Sequence, residues 1–395
     1  MSTQPIVEQI IHVLKETLPA EESFIPLHAP LFEGNEWNYV KECLDTGWVS
    51  SVGKYVDLFE RKLEEYTGAK HAVAVVNGTA ALHVSLLLAG VHRDDEVLIP
   101  SLTFIATANA VSYCGAVPHF VDVEEEALGV DAERLKDYLG DIAAVKDGVC
   151  INKTTGRTIR AIVPMHTFGH PVKLEPLLEV CEQFRLAVIE DAAESLGSFY
   201  KGVHTGNFGL ISALSFNGNK IVTTGGGGAI LTNDESLAKR AKHITTTAKI
   251  PHQWEYVHDQ IAFNYRLPNI NAALGCAQLE KLPEYVQRKR ELASVYRKAF
   301  NSIPGVRFFT EAEFVESNYW LNVLILEKEH SEVLPELLRK TNDLGIMTRP
   351  AWAPIHVLDM YKDFPRMDLA VTESLVNRII NIPSSVSLGG IDDRA

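Results

Sequence analysis

The sequence is poor in cysteine, in basic charge and in long apolar runs. Its 395 residues include five cysteines, and none has a second cysteine close by in the chain, so neither a zinc site nor a disulfide framework is indicated. Lysine and arginine number 37 against 51 acidic residues, for a net charge of −14. This balance disfavours general nucleic-acid binding, which depends mostly on cationic side chains. No apolar run reaches the roughly 18 residues of a membrane-spanning helix.

The sequence also lacks the layout of a signal peptide near its first residue. The segment PIVEQIIHVLKETL mixes acidic and basic residues with apolar ones, which predicts an amphipathic helix. Without an export signal we expect a cytoplasmic protein with no membrane partner. Apolar residues make up 46% of the chain and charged residues 22%, and this composition with this length predicts a globular protein of two domains.

Short apolar runs alternate with longer amphipathic ones in the first two thirds of the chain. The predicted strands are 71–76, 96–100, 117–123, 160–166, 186–191, 213–216 and 228–233. Helical patterns lie between many of them, so the order favours an α/β fold with a doubly wound, mostly parallel sheet. Polar residues follow several of these strands. Because ligands bind at the carboxyl ends of strands in such sheets, we expect the functional site there.

A different organisation follows the sheet region. Residues 270–300 predict one long helix, and a smaller α+β region comes after it. The predicted division is an N-terminal helical extension at 1–25, a large domain at 26–270 and a small C-terminal domain at 271–395.

The stretch SFNGNKIVTTGGGG, residues 215–228, places a lysine before four glycines. Three interpretations are open: a phosphate-binding loop, a mobile turn with a solvated lysine, or a lysine that bonds covalently to a cofactor. A P-loop needs its lysine after the glycines and a helix next, whereas a strand is predicted here. A dinucleotide-binding loop is disfavoured on the same ground.

The covalent interpretation has Lys220 forming a Schiff base with pyridoxal phosphate (PLP). Such a lysine must lose its proton to attack an aldehyde, which a partly buried polar pocket favours. The cofactor also needs a carboxylate that keeps its pyridine nitrogen protonated. Asp191, at the end of the apolar run in VIEDAAESLG, can supply that carboxylate.

A phosphate cradle and a stacking ring complete the pattern. The segment VVNGTAAL places Gly78, Thr79 and Ala80 at a predicted strand-to-helix turn, where free N–H groups and the helix dipole favour a phosphate. Ser215 can add a hydroxyl group, and Phe104 in PSLTFIATANA follows a strand where its ring can lie against the cofactor. Each residue alone has a simpler explanation, but this order and spacing favour the cofactor.

With these motifs the sequence resembles the DegT/DnrJ/EryC1/StrS family of PLP-dependent sugar aminotransferases. The resemblance covers nearly the whole chain and rests on NGTAAL, PSLTFIATANA, IEDAAESLG, SFNGNK with TTGGGG, and FNYRLPNINAALG. It implies the aspartate-aminotransferase fold, which is PLP fold type I. That fold has a large domain with a mostly parallel seven-stranded sheet and a smaller α+β C-terminal domain.

The resemblance also implies a role for each matching position. Lys220 matches the lysine that bonds to the cofactor and moves protons, and Asp191 matches the partner of the ring nitrogen. Glu194 matches a position near the ring hydroxyl that is often Gln or His. Asn264 matches a residue that reaches the cofactor phosphate of the neighbouring subunit, which implies an obligate homodimer with shared active sites. Thr79, Ala80 and Ser215 match residues that contact the phosphate, and Phe104 matches the aromatic residue that stacks on the cofactor ring.

Two departures from the usual family pattern bear on the substrate. Many relatives have His at the position of Asn217 and TTGEGG where this chain has TTGGGG. With NYWLNVLIL and IMTRPAW, these departures resemble the subgroup that aminates C4 of nucleotide-linked 4-keto-6-deoxy-N-acetylhexosamines for bacillosamine or legionaminic acid synthesis. Glutamate is the expected amino donor. The candidate substrate-binding residues are Trp48, Ser51, Lys54, His166, Asn217, Arg266 and Arg349.

Other functions remain possible at this point. The same fold can act on a keto-inositol, a 3-keto nucleotide sugar or an unlinked keto-sugar, or serve as a regulatory protein without turnover. A dehydratase is disfavoured because such relatives replace the lysine with His, whereas this chain has Lys220. The pair of histidines in HTFGH, residues 166–170, follows a strand and includes a glycine, so we expect a loop that binds no metal. His166 is expected to line the pocket.

Overall fold

The computed structural model describes residues 5–20 and 22–390. The parts of the predicted N-terminal and C-terminal regions that fall on residues 1–4, 21 and 391–395 lie outside the described residues. Across the described ranges, no helix combines the length and the apolar character that crossing a membrane requires.

Helices and strands alternate along the described chain. The α-helices are α1 (Ile6–Thr17), α2 (Glu36–Thr46), α3 (Lys54–Thr67), α4 (Gly78–Leu88), α5 (Ile105–Tyr113), α6 (Ala132–Ile142), α7 (Leu174–Phe184), α8 (Glu235–Thr245), α9 (Asn269–Phe300), α10 (Leu334–Asp343) and α11 (Ala370–Val376). The strands are β1 (His71–Val75), β2 (Glu96–Pro100), β3 (Val117–Val121), β4 (Ala143–Lys146), β5 (Val149–Asn152), β6 (Ile159–Ile162), β7 (Ala187–Asp191), β8 (Phe199–Tyr200), β9 (Val203–His204), β10 (Ile211–Ser215), β11 (Gly228–Thr232), β12 (Val306–Phe308), β13 (Val315–Glu316), β14 (Asn322–Leu326), β15 (Arg349–Pro350) and β16 (Ile379–Ile382). Short 3₁₀ turns occupy Thr167–Gly169, Lys328–Val333, Ile355–Val357 and Val386–Leu388.

The central sheet has seven strands in the order β1-β11-β10-β7-β6-β2-β3. The pairs from β10 to β3 are parallel, and β11 runs antiparallel to both of its neighbours. Strand β1 therefore runs in the same direction as β10, and β11 alone is reversed within this sheet. The predicted mostly parallel sheet is confirmed. Six carboxyl ends consequently meet at one edge, where β7 ends at Asp191 and β10 ends at Ser215.

Burial explains why these runs form interior strands. All five residues of β2, β3 and β11 are buried, and apolar helices cover both faces of the sheet. Parallel strands covered on both faces are typically continuous apolar runs, as the sequence showed. The segment between α6 and β6 forms the antiparallel hairpin β4–β5.

A smaller antiparallel sheet, β12-β14-β16-β15, lies C-terminal to the long helix α9. The apolar face of α1 packs in the same cluster as the end of α9, β12 and α10, so the N-terminal helix covers this smaller unit. A further apolar cluster joins Phe168, from the loop after β6, to Trp320, Val323 and Ile379 of the smaller unit. The exact domain boundaries predicted from the sequence stay predictions.

Candidate active site

A cavity of about 370 Å³ opens at the carboxyl edge of the central sheet. It lies where β7 and β10 end and where α4 begins, with Trp320 and Trp352 of the smaller unit on its wall. The structure brings together there most of the cofactor positions expected from the sequence. The cofactor positions that line the cavity are Gly78, Thr79, Phe104, Asp191, Glu194, Ser215 and Lys220, and the substrate candidate Asn217 lines it as well.

Lys220 lies in the loop between β10 and β11, and its amine points into the cavity. Its Nζ atom donates to Oε1 of Glu194 over 3.2 Å and lies 3.8 Å from the centre of the Trp320 ring. Only 13% of the Lys220 side chain is exposed. An ammonium group gains energy both from a carboxylate and from the face of an indole ring. The free amine is therefore held at a defined place beside Asp191 rather than solvated.

Asp191 ends β7 and is 3% exposed. One carboxylate oxygen, Oδ2, accepts a hydrogen bond from the hydroxyl of Thr107 at 2.7 Å, and Oδ1 accepts one from the backbone N–H of Ala193 at 3.2 Å. Burial raises the pKa of Asp191, and these hydrogen bonds together with the positive charge of Lys220 oppose that rise. The carboxylate is thus oriented by Thr107 and Ala193, and among the described residues it has no direct cationic partner.

Glu194 is the second buried carboxylate of the cavity. Its Oε2 atom accepts from the backbone N–H of Phe168 at 2.8 Å, while Oε1 accepts from Lys220. Burial raises the pKa of Glu194 to about 7, against the opposing effect of Lys220 and of the Phe168 N–H. A side chain that gains or loses a proton near neutral pH therefore adjoins the amine of Lys220.

The raised pKa of Glu194 predicts a pH-dependent stability in the cofactor-free protein. Between about pH 4.5 and 7 the native state holds a proton that the unfolded chain releases, so the free energy of unfolding falls as the pH rises through that interval. The Glu194→Gln variant cannot titrate there. From pH 5 to 7.5 we expect it to lose less stability than the wild type, by about 3 kcal/mol or less.

Urea unfolding of the cofactor-free proteins at the two pH values measures this difference. An exposed glutamate on α6, Glu133, provides the matched control as Glu133→Gln, and this variant should follow the wild type. If Glu194→Gln and the wild type change equally with pH, Glu194 does not hold the proton.

The N-terminus of α4 supplies backbone donors at the other end of the cavity. Asn77 caps this helix by accepting the N–H of Ala80 at its Oδ1 over 2.8 Å. The hydroxyl groups of Thr79 and Ser215 line the same space and make no hydrogen bond to other described residues. Free donors at a helix N-terminus together with two hydroxyl groups form a place for a phosphate.

The glycines are needed where the backbone comes close to its neighbours. A Cβ atom added at Gly228 would lie 2.5 Å from the carbonyl of Asn77, and one at Gly78 would lie 2.9 Å from the Cβ of Ser215. Gly225 has φ of 78°, which glycine adopts without strain. The glycine run therefore lets β11 lie against the start of α4, and the loop is not a phosphate loop of its own.

These residues fit pyridoxal phosphate. The cavity offers an amine for its aldehyde, a buried carboxylate for its ring nitrogen, a helix N-terminus with hydroxyl groups for its phosphate and an aromatic ring, Phe104, on its wall. A single small ligand with all four complementary groups matches this set.

Two predicted contacts lie differently in the structure. His166 is fully buried behind the cavity: its Nε2 atom bonds Glu190 at 3.1 Å, and its Nδ1 atom accepts from the N–H of Val172. Both ring nitrogens of His166 form hydrogen bonds within the protein. The ring therefore holds the end of the sheet in place, and neither nitrogen is free for a ligand. The N–H of Ala80 is likewise already paired, because it donates to the Oδ1 atom of the capping residue Asn77.

The substrate candidates near the chain surface do not line this cavity within the chain. Lys54 pairs with Glu42 and lies over the ring of Tyr55, away from Lys220. Arg266 donates to the Oδ1 atom of Asn264, the exposed cofactor candidate, at 3.4 Å. The remaining three, Trp48, Ser51 and Arg349, are exposed or partly exposed.

The sequence analysis did not predict three residues of the site. Thr107 orients Asp191, and Trp320 and Trp352 form the wall contributed by the smaller unit. The two tryptophans lie within the C-terminal region, Trp320 just before β14 and Trp352 just after β15, more than 100 positions from Asp191 in the chain. Thr107 lies in a motif that was used for Phe104, and its hydroxyl in an otherwise small and apolar helix turn is the signal that could have identified it.

Comparisons with known proteins agree with this geometry. Residues 31–393 match the model of the DegT/DnrJ/EryC1/StrS aminotransferase family. Over 365 residues the chain is 40% identical to the GDP-perosamine synthase of Escherichia coli O157:H7, which covers 92% of this chain and 94% of that protein. A putative pyridoxal phosphate-dependent aminotransferase of Bacillus subtilis, EpsN, is 36% identical and covers 92% of each chain.

Among solved structures, the aminotransferase PseC of Helicobacter pylori superposes with a TM-score of 0.84. The two proteins are 25% identical, and the match covers 94% of this chain and 96% of that one. PseC is described as involved in the biosynthesis of pseudoaminic acid.

Proposed function

We infer the reaction from the premise that the chain belongs to the DegT/DnrJ/EryC1/StrS aminotransferase family. It is a PLP-dependent sugar aminotransferase. We propose that it moves an amino group from glutamate to the C4 keto group of a nucleotide-linked 4-keto-6-deoxy-(N-acetyl)hexosamine. The observation that carries this proposal is the shared cavity in which the amine of Lys220, the carboxylate of Asp191 and the start of α4 converge.

The residues have distinct tasks in the proposed reaction. When bound, PLP supplies an electron sink that stabilises negative charge on the carbon losing a proton. Lys220 would supply the amine that holds the cofactor. When that amine is free, it would take the proton of the donor α-carbon and pass it on. Asp191 would keep the ring nitrogen protonated.

Glu194 and Trp320 bear on the freed amine. Both contact its Nζ atom. We propose that they hold the free amine close to the reacting carbon, which would shorten the proton path in both half-reactions. With the keto-sugar bound, the amine of Lys220 would carry the proton in the opposite direction.

A homodimer with shared active sites remains part of the proposal. Asn264 lies outside the cavity of its own chain and is exposed, as expected for a residue that serves a neighbouring subunit. Next to it, Trp254, Tyr256 and Ile261 expose large apolar side chains, with Ile261 96% exposed. Such a patch on a soluble surface favours burial against another chain. A location in the cytoplasm stays a prediction.

The name GDP-perosamine synthase of the relatives favours GDP as the nucleotide, whereas the sequence motifs resemble the N-acetylhexosamine subgroup of bacillosamine and legionaminic acid synthesis. A GDP-linked sugar without the N-acetyl group is therefore the second candidate substrate.

The experiment uses purified holoenzyme, glutamate labelled with heavy nitrogen at its amino group, and a panel of GDP- and UDP-linked 4-keto-6-deoxy sugars. We expect mass spectrometry to show the label in the amine of one nucleotide sugar, with equal formation of 2-oxoglutarate. Ping-pong kinetics should accompany the transfer. If the label reaches no keto-sugar of the panel, the proposed substrate class is wrong.

A further inference from the structure

A second cavity, of about 420 Å³, adjoins the first and has no assigned role. The two share Asn219, Trp320 and Trp352 as wall residues, so they are separated by the side chains that also border Lys220. The indole N–H of Trp320 donates to the carbonyl of Asn219 at 2.7 Å, which fixes the orientation of the dividing ring. A sugar that presents one carbon to Lys220 can extend a substituent into this second cavity.

Two side chains on its wall have buried polar atoms that lack a hydrogen-bond partner among the described residues. Asn381 in β16 is 3% exposed, and its Oδ1 atom has no partner among residues 5–20 and 22–390, although its Nδ2 atom donates to the carbonyl of Pro350 at 3.3 Å. Both ring nitrogens of His28 are buried and equally without a partner in the described chain. Buried polar atoms without partners are costly, so their presence indicates a ligand.

The imidazole of His28 is a neutral hydrogen-bonding group on the wall of the second cavity. The pKa of His28 lies well below its usual range because the ring is buried and because Lys289 and Lys220 add positive charge, so the imidazole is neutral. Arg349 contributes the guanidinium on this wall, and it already donates to the Oδ1 atom of Asn342 and to the carbonyl of Thr348 at 2.9 Å each. A neutral imidazole has one N–H donor and one acceptor nitrogen.

We propose that the second cavity is a subsite for the acetamido group on C2 of the nucleotide sugar, and that Asn381 and His28 bind that group. This rests on the proposed function. The Oδ1 atom of Asn381 accepts the amide N–H of the sugar, and the ring N–H of His28 donates to its carbonyl. The acetyl methyl group packs among Leu27, Met347 and Trp352. An amide supplies separate donor and acceptor atoms for these two side chains and also places a methyl group on the apolar wall, which a hydroxyl group at C2 does not.

A paired-substrate experiment tests the subsite. The holoenzyme is given 4-keto-6-deoxy nucleotide sugars that differ at C2 alone, with an acetamido or a hydroxyl group, each as the UDP and the GDP form. We expect a kcat/KM about 10- to 100-fold higher for the acetamido sugar, because its methyl group packs on the apolar wall and its amide supplies separate donor and acceptor atoms for Asn381 and His28. Asn381→Leu and, separately, His28→Phe should remove most of that preference by lowering kcat/KM for the acetamido sugar.

Controls separate misfolding from lost recognition. Asn377→Leu, at an exposed asparagine beyond α11, should keep the full preference. Retention of the cofactor absorbance by each variant shows that the first cavity is intact. Two results would overturn the inference: an equal loss for both sugars in the variants, or an increased KM for glutamate with unchanged sugar kinetics, which would place the amino donor in this cavity.

A binding measurement distinguishes failure of the subsite from failure of the proposed reaction. UDP-N-acetylglucosamine and UDP-glucose have no keto group and cannot react, so calorimetric titration of the holoenzyme reports recognition alone. Tighter binding of the acetamido form, lost in Asn381→Leu, supports the subsite even if no keto-sugar is aminated. Equal binding of both sugars overturns it, whatever reaction the enzyme performs.

Discussion

Replacing Lys220 with alanine is expected to lower the rate of amino transfer by about 10⁴-fold or more. The variant loses the amine that we propose holds the cofactor and moves the proton of the donor, and no other described lysine lines the cavity. The yellow absorbance of the holoenzyme should disappear as well. Borohydride reduction followed by peptide mass spectrometry should find the cofactor attached at residue 220 in the wild type and at no position in Lys220→Ala.

A matched control keeps this result specific to the position. Lys239 is exposed on α8 and pairs with Glu235, so Lys239→Ala should retain full activity and the cofactor absorbance. Substantial transfer by Lys220→Ala in the absence of added amines would show that another group performs the proton transfer.

Replacing Asp191 with asparagine is expected to lower kcat by about 10²- to 10³-fold. Asparagine has nearly the same shape and can still accept from Thr107, but it carries no negative charge to keep the ring nitrogen of the cofactor protonated. Since the lost interaction stabilises charge that develops during proton removal, kcat should fall much more than the KM for glutamate rises. Single-turnover kinetics with glutamate, followed by the cofactor absorbance, measure the loss in the first half-reaction.

The hydroxyl that supports Asp191 offers a graded comparison. Thr107→Val removes one hydrogen bond to Oδ2 and should cost about tenfold, whereas Thr107→Ser preserves that bond and should stay near wild type. If Asp191→Asn retained wild-type kcat, the carboxylate would be a structural group and the assigned role would fail.

The local patterns that could be identified from the sequence were those confined to single elements. The seven interior strands are continuous apolar runs, so their positions followed from burial on both faces without knowledge of their order. The motif around Asp191 and the one around Lys220 were recognisable because each lies where one strand ends. The sequence did not show that β11 runs against its neighbours.

The positions that the sequence analysis placed differently depend on contacts between distant parts of the chain. His166 was expected in the pocket because it follows a strand. Instead, one of its ring nitrogens is hydrogen-bonded to the buried carboxylate of Glu190. Trp320 reaches Lys220 from a loop 100 residues further along the chain. No local pattern indicates such a partner, since the spacing is set by how the smaller unit packs on the sheet.

The sequence by itself determined the class of fold and the family, and it predicted the pair of groups, Lys220 and Asp191, to which the proposed chemistry is assigned. Each of these follows from short motifs whose residue types are constrained by backbone geometry and by the cofactor. The tertiary structure alone decided what surrounds the amine: the carboxylate of Glu194 with its raised pKa, the ring of Trp320 and the second cavity with Asn381 and His28. Burial and orphaned hydrogen-bonding groups are properties of packing, and packing joins residues that are far apart in the chain.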